Sequence, residues 1–301
     1  MKSSRIIINL ILAMMLTTTF TWSQDQVETG WQNSLIIDFT TTQTSYSDSW
    51  TGGEAGSVNW AANLNGTAQR QFSPKFDFKS SLKLSFGQTL TQNIDAEGKP
   101  WKKPQKSTDL IDWENVGRFT LGWFVDPYVA FRIESQFFDG SVENHKRWLS
   151  PLKLTESVGL AHMFYKKDKD FITSRLGLAV REIFTKQFID LVDYETETIS
   201  TTDGGLESVT DAELTFGDNL KYTGKLTLYK AVTYSKKDEV KGLPEEDDWK
   251  AVDVSLENIV SASITKIITV NLYTQFLWDK QVEKKGRWKE TLAIGFVFRM
   301  L

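Results

Sequence analysis

Residues 76–86 read FDFKSSLKLSF. Phe76, Phe78, Leu82, Leu84 and Phe86 fall on one parity; Asp77, Lys79, Lys83 and Ser85 fall on the other. Period two over this length describes a strand with one apolar and one wet face. The preceding stretch has the same form. Val58, Trp60, Ala62, Leu64 and Ala68 alternate with Asn59, Asn63, Asn65, Thr67 and Gln69, and Phe72-Ser73-Pro74 offers a tight turn between the two.

Working outward, the pattern recurs to the end of the chain. Trp113, Phe119, Leu121 and Trp123 oppose Glu114, Arg118 and Thr120. Val129, Phe131 and Ile133 oppose Arg132 and Glu134. Leu152, Leu154, Val158 and Leu160 oppose Lys153, Thr155 and Ser157. Leu176, Leu178 and Val180 oppose Arg175 and Arg181, and Leu214 and Phe216 oppose Asp211 and Glu213. Tyr222, Leu226 and Leu228 oppose Lys221 and Lys225; Val252, Val254 and Leu256 oppose Asp253 and Glu257. Ile264, Ile268, Val270 and Leu272 form another segment, and Trp288, Leu292, Ile294 and Phe296 the last, while Leu35, Ile37 and Phe39 open the series opposite Asp38. The segments at 34–42 and 206–215 are the least regular.

Connections take turns in length. Short ones fall at 72–74, 126–127, 166–170, 217–219 and 261–263, and long ones near 43–57, 91–107, 139–151, 185–205, 235–249 and 279–287. Alternating short turns and long loops is the ordering of an up-and-down barrel, and a Greek-key sandwich has no reason to produce it. Many segments exceed the five or six residues usual for soluble strands and suit the roughly 9–11 that cross a bilayer at a tilt. The expected fold is therefore all-β: a transmembrane up-and-down antiparallel barrel of about twelve strands, both termini periplasmic. Closure is required because an open edge in lipid leaves backbone groups unpaired.

The 301 residues include 35 Lys and Arg against 39 Asp and Glu, with no Cys. A mildly acidic chain with mixed signs gives no case for nucleic-acid binding. Lack of Cys rules out disulfides and thiolate metal sites. Lys2 and Arg5, then the apolar run Ile6 to Leu16, then Thr21-Trp22-Ser23, read as a signal peptide over 1–23 cleaved before Gln24, leaving a barrel domain over 24–301. Beyond it no stretch is long and apolar enough for a membrane-spanning helix.

Eleven Trp and nineteen Phe are many for this length. Trp113, Trp148, Trp249, Trp278 and Trp288 sit beside expected long loops, and Tyr128, Tyr165 and Tyr222 beside expected short turns. They read as an aromatic girdle at the two membrane interfaces. The basic residues Lys99, Lys102, Lys103, Lys106, Lys146, Arg147, Lys284, Lys285 and Arg287 fall in the long loops, where they could meet lipopolysaccharide phosphates. Outer-membrane lipids, including lipopolysaccharide, are thus the expected partners; no motif names a protein partner.

Catalytic chemistry has little support. The two histidines, His145 and His162, are followed two residues on by Arg147 and Phe164, so no nucleophile–base pair is suggested. Glu245-Glu246-Asp247-Asp248 reads as a solvated acidic loop before it reads as a cation site. No catalytic residue, metal or cofactor is expected. The wet face is more informative. Asp112, Glu114, Arg118, Arg132, Glu134, Arg175, Arg181, Asp211, Glu213, Lys221, Lys225, Asp253 and Glu257 should face the lumen. Such charges line a narrow channel or pair across strands to close it.

Ser49-Trp50-Thr51-Gly52-Gly53, the strand from Ser57, the stretch Leu84-Ser85-Phe86-Gly87, and Lys106-Ser107-Thr108-Asp109 carry a resemblance. Together they resemble the uncharacterised Bacteroidota outer-membrane barrel family catalogued as domain of unknown function 3078. The shared features are a Trp-x-Gly-Gly turn, an aromatic-Gly strand end and a Lys-x-x-Asp lead-in to the next strand, within the first half of the mature chain. The resemblance implies fold and location and carries no activity. The C-terminus departs from common barrel practice, ending Phe298-Arg299-Met300-Leu301 without a terminal aromatic. The expected function is a narrow channel or binding barrel for small polar solutes. A non-conducting structural or partner barrel acting through its loops is the alternative, and a lipid-processing enzyme ranks third.

Overall fold

A computed structural model describes residues 30–46, 54–93, 100–142, 145–190 and 193–300, with side chains described up to residue 296. The signal-peptide reading, the Trp-x-Gly-Gly turn and Lys99 lie outside these residues. Fourteen strands are formed: β1 (Gln32–Thr44), β2 (Ser57–Ser73), β3 (Phe76–Thr91), β4 (Gln105–Phe119), β5 (Asp126–Ser135), β6 (Phe138–Val142), β7 (His145–Trp148), β8 (Leu152–Lys167), β9 (Asp170–Phe188), β10 (Thr196–Phe216), β11 (Leu220–Tyr234), β12 (Val252–Ser263), β13 (Ile268–Asp279) and β14 (Glu283–Met300). Twelve close a barrel in the order β1-β14-β13-β12-β11-β10-β9-β8-β5-β4-β3-β2, each antiparallel to its neighbours; β6 and β7 form a separate hairpin.

Alternation decides which way each side chain points. On β9, Leu176, Leu178 and Val180 are exposed outside, while Arg175, Ala179 and Arg181 are buried inside. On β14, Leu292 and Ile294 are 70% and 67% exposed on the outer face. A water-soluble domain would cover a continuous belt of this kind, since large exposed apolar patches otherwise mark a contact surface. At the turn end, Trp31, Phe72, Phe76, Phe78 and Phe119 form an aromatic chain with ring centroids 4.9 to 6.5 Å apart. The Arg70 guanidinium lies over the Phe72 ring at 5.0 Å.

Several expected boundaries move. Leu121 and Trp123, read as strand, lie in the β4–β5 turn, with Trp123 exposed. The turn expected at 261–263 falls at 264–267. The long loops expected at 185–205 and 279–287 are mostly ladder: Thr196 pairs with Phe188, and Asp279 with Glu283. Here the hairpins continue past the apolar belt, where both faces are wet and period two fades from the sequence although the backbone pairing persists. Connection length therefore does not alternate strictly.

The loop between β5 and β8 is also ordered. Asp109 on β4 accepts the backbone N–H groups of Phe137 and Phe138 at 2.6 and 3.2 Å, and Lys106 Nζ donates to Asp109 at 3.0 Å and to Gln136 at 2.9 Å. The Lys-x-x-Asp lead-in is thus a clamp holding the start of the β6–β7 hairpin. At the other edge, Arg147 reaches the Lys186 carbonyl of β9 at 2.9 Å. The barrel itself closes through β1 and β14, paired from Leu35↔Met300 to Thr40↔Gly295, a much shorter ladder than β9–β10.

Candidate functional site: a lumen of two lobes

Contacts between strands that are not neighbours must cross the lumen. Arg175 Nη2 on β9 lies 2.7 Å from Glu114 Oε1 on β4, and Lys225 Nζ on β11 lies 2.8 Å from Glu114 Oε2. Lys83 on β3 reaches Glu257 on β12 at 3.4 Å. The Lys225 and Lys83 bridges join the β3–β4 wall to the β11–β12 wall, and Arg175 meets the same Glu114 from β9. They divide the interior into one lobe walled by β5 and β8 to β10, and another walled by β13, β14, β1 and β2.

The first lobe is filled. Thr155, Ser157, Ala161, Arg175, Ala179, Arg181, Asp203, Glu207 and Val209 are all buried inside it. Arg181 makes a forked contact to Asp203, Nε to Oδ1 at 2.9 Å and Nη2 to Oδ2 at 3.0 Å, and reaches Asp253 on β12 at 2.7 Å. The Tyr229 hydroxyl donates to Asp203 at 2.5 Å, and the Arg181 guanidinium stands 3.6 Å from the Tyr229 ring centroid. Fork geometry and several acceptors are what allow a buried guanidinium to be tolerated. Arg132 bridges Asp112 at 2.8 Å and Glu134 at 3.2 Å, and Glu134 accepts Lys153 at 2.8 Å. Tyr128 lies over the paired Gly159 and Gly177, where a Cβ on Gly177 would press against its hydroxyl at 2.7 Å. The ring occupies the space that two missing side chains leave.

The second lobe differs. Asn59, Asn63, Asn65 and Thr67 on β2 and Asn271, Tyr273 and Gln275 on β13 are only half-buried, and Thr291 on β14 is exposed although it points inward. Asn63 donates to Asp38 at 2.7 Å and accepts from Ser85 at 2.5 Å. Lys289 reaches Thr108 on β4 at 3.1 Å. Among the described residues Asn65, Asn271 and Gln275 make no side-chain hydrogen bond.

All thirteen residues read as lumen-facing lie in ion pairs. Besides those above, Arg175 meets Asp211 at 3.5 Å, Lys221 meets Glu213 at 2.6 Å, and Arg118 meets Asp77 at 3.6 Å and Asp126 at 4.0 Å. Lys83, Asp77 and Lys153 join this network although the sequence did not single them out as lumen charges; each sits on the wet parity. Asp203 joins it as well, from a segment read as loop.

The girdle is partly redrawn. Trp288 and Trp278 face outward near the loops, with Trp288 62% exposed. Trp113 faces outward from the middle of β4 and donates to Ser80 Oγ at 2.9 Å. Tyr165 is exposed beside the β8–β9 turn, and Tyr222 faces outward and donates to Asn258 at 2.8 Å. Trp148 belongs to the β6–β7 hairpin. Two residues are not girdle at all. Tyr128 is buried inside, because it shares the parity of Arg132 and Glu134. Trp249 sits on the 3-10 turn Asp248–Lys250, stacks on Tyr234 at 5.9 Å, and packs against Ala179, Tyr229 and Ala231, so it caps the filled lobe. Proximity to a loop in sequence cannot tell an outward ring from one folded into the mouth.

His162 stacks on Phe124 at 4.1 Å between ring centroids and bonds through Nδ1 to the Phe124 carbonyl; His145 stacks on Tyr194. The acidic run is held by Lys250 Nζ, 2.5 Å from Asp247, and by Lys284, 3.9 Å from Asp248. Among the described residues no trio of His, Asp or Glu is placed to hold a metal ion. In the rim hairpin, burial raises the Asp139 carboxyl, but hydrogen bonds from Ser141 and the Arg147 guanidinium at 2.6 Å outweigh it and hold the group below its usual value.

Residues 41–140 match the family model described as a protein of unknown function (DUF3078), a span that includes the Lys106–Asp109 clamp. No curated protein matches the chain. Among solved structures, an outer-membrane channel from Pseudomonas putida F1 has a TM-score of 0.40 at 10% identity, covering 94% of this chain and 99% of that one. The translocator domain of the autotransporter NalP from Neisseria meningitidis has a TM-score of 0.37 at 8% identity, covering 92% and 90%. The NanC porin has a TM-score of 0.35 at 12% identity, covering 89% and 100%. At these identities each is a likeness of barrel architecture alone.

Proposed function

We propose that the chain is an outer-membrane barrel that admits small polar solutes through the lobe walled by β13, β14, β1 and β2. One observation carries the reading: midway along β8 to β11 most inward side chains are buried, whereas those of β2 and, apart from Thr269, of β13 stay half-exposed. Eight-stranded barrels fill with side chains and 16-stranded porins leave a channel, so a twelve-stranded barrel with one packed side is left a narrow, off-centre passage. The exposed apolar belt and the aromatic chain at the turn end support a membrane setting. The start of β1 and the end of β14 lie at that turn end, which we assign to the periplasm, with the β6–β7 hairpin and the 235–251 loop outside facing lipopolysaccharide.

A second reading has its own support. The Glu114 bridges at mid-height and the Trp249 cap favour a non-conducting barrel that acts through its loops. Purified protein in planar bilayers separates the two. The passage reading expects small steady conductance steps, with a reversal potential in a salt gradient that changes in Lys289→Ala, whose side chain points into the open lobe from β14. Silence at a protein density where known porins conduct overturns it in favour of the closed barrel. The enzyme reading gains nothing from His145 or His162, whose rings are occupied in stacking.

A further inference from the structure

We propose that the open lobe is a binding track for a neutral solute rich in hydroxyl groups, of the class of a short uncharged saccharide. This deepens the passage reading and rests on its open lobe. In the filled lobe the charged groups, Glu207 apart, have found partners across the wall or the lumen. In the open lobe the amides of Asn65, Asn271 and Gln275 have none among the described residues, and they are reachable from the lumen.

A primary amide offers two donors and a carbonyl acceptor. That mixture matches hydroxyls, which donate and accept, and it gives an ion no opposite charge to offset its lost hydration. Asn271 and Gln275 share the inner face of β13 with Tyr273, whose ring lies between them in sequence parity with the Lys289 Nζ 5.8 Å from its centroid. Between β13 and β2 the strands β14 and β1 point small residues inward, Ala293, Gly295 and Thr40, with the Thr40 methyl over Gly295. The charges beside these amides are balanced: Lys83, opposite Asn65, pairs at 3.4 Å with Glu257, opposite Gln275, while Asp38 is held by Asn63 and Lys289 by Thr108.

The test is calorimetric titration of the full detergent-solubilised protein with maltose, and with digalacturonate as an anionic disaccharide of similar size. Saturable maltose heats and weaker digalacturonate binding are expected. Asn65→Leu and Gln275→Leu should each weaken maltose binding about tenfold, the loss of one or two hydrogen bonds. Folding of each variant is checked by its mobility on unheated gels; should either misfold, Thr67→Val and Thr291→Val replace them. Absent maltose heats, tighter digalacturonate binding, or unchanged affinity in the folded variants overturns the proposal. Conductance without maltose binding sinks the solute class and leaves the passage standing. Maltose binding in a protein that never conducts keeps the track and removes the passage.

Discussion

The β8–β11 side of the barrel and the β13–β2 side have the same architecture and opposite interiors. Both are antiparallel ladders with an apolar outer face. Inside, one side packs Arg175, Arg181, Glu114 and Asp203 into contacts at 2.7 to 3.0 Å, and the other presents amides with unused hydrogen-bonding capacity. The difference teaches that a wet face is not one thing. Long charged side chains reach across the lumen and find each other; short amides stop at the wall. Side-chain length and charge together decide whether an inward-facing residue fills the interior or lines it.

The comparison breaks most visibly at Arg175. In Arg175→Ala, Glu114 and Asp211 lose a shared cation in a buried setting, and removing one member of such a set costs about 3–5 kcal/mol. The urea midpoint for unfolding in detergent should fall accordingly; a midpoint like that of the unaltered protein would mean that the bridges add nothing to the packed half. A smaller effect is expected at the rim hairpin that leans on this half through Arg147. Asp139 is held below the usual value of an aspartate, so its ionised form favours the docked hairpin. That contribution is present above the ordinary carboxylate range and disappears as pH falls through the lowered value. Trp148 emission should therefore change on acidification below pH about 4, and an Asp139→Asn variant should not show the transition. The smallest effect belongs to the open half, where Gln275→Leu should change the unfolding free energy from urea titration by less than about 1 kcal/mol, since no partner is orphaned. A large loss there would show that the amide wall is structural.

The barrel was legible in the sequence wherever one face met the apolar belt. The alternation in 76–86 and in 288–296 fixes both strand and facing, because burial of one parity is what sets register. It failed at Thr196–Thr202 and Glu283–Arg287, which are strand on both sides of a wet hairpin and carry no period. The charged wall was legible by parity, as Arg132 and Asp112 show. Their partners were not, since a contact such as Lys225 to Glu114 depends on how far the barrel wall curves between β4 and β11, and no local pattern encodes that. Tyr128 and Trp249 mark the same boundary: their chemistry suits an interface, and only the fold shows that they turn inward.

The seam between β1 and β14 has a consequence for how the molecule comes into being. It joins the two strands farthest apart along the chain by its shortest wall ladder, while every other wall contact is made between strands that are close or adjacent in sequence. Loop closure entropy falls hardest on such a pairing, and high sequence separation delays it. The curved sheet from β1 to β14 can therefore zip hairpin by hairpin, and closure ends with a single late weld at Leu35 to Thr40. Until that weld forms, the amide wall that flanks it is an open margin, so the half of the interior that stays accessible in the finished barrel is also the half assembled last.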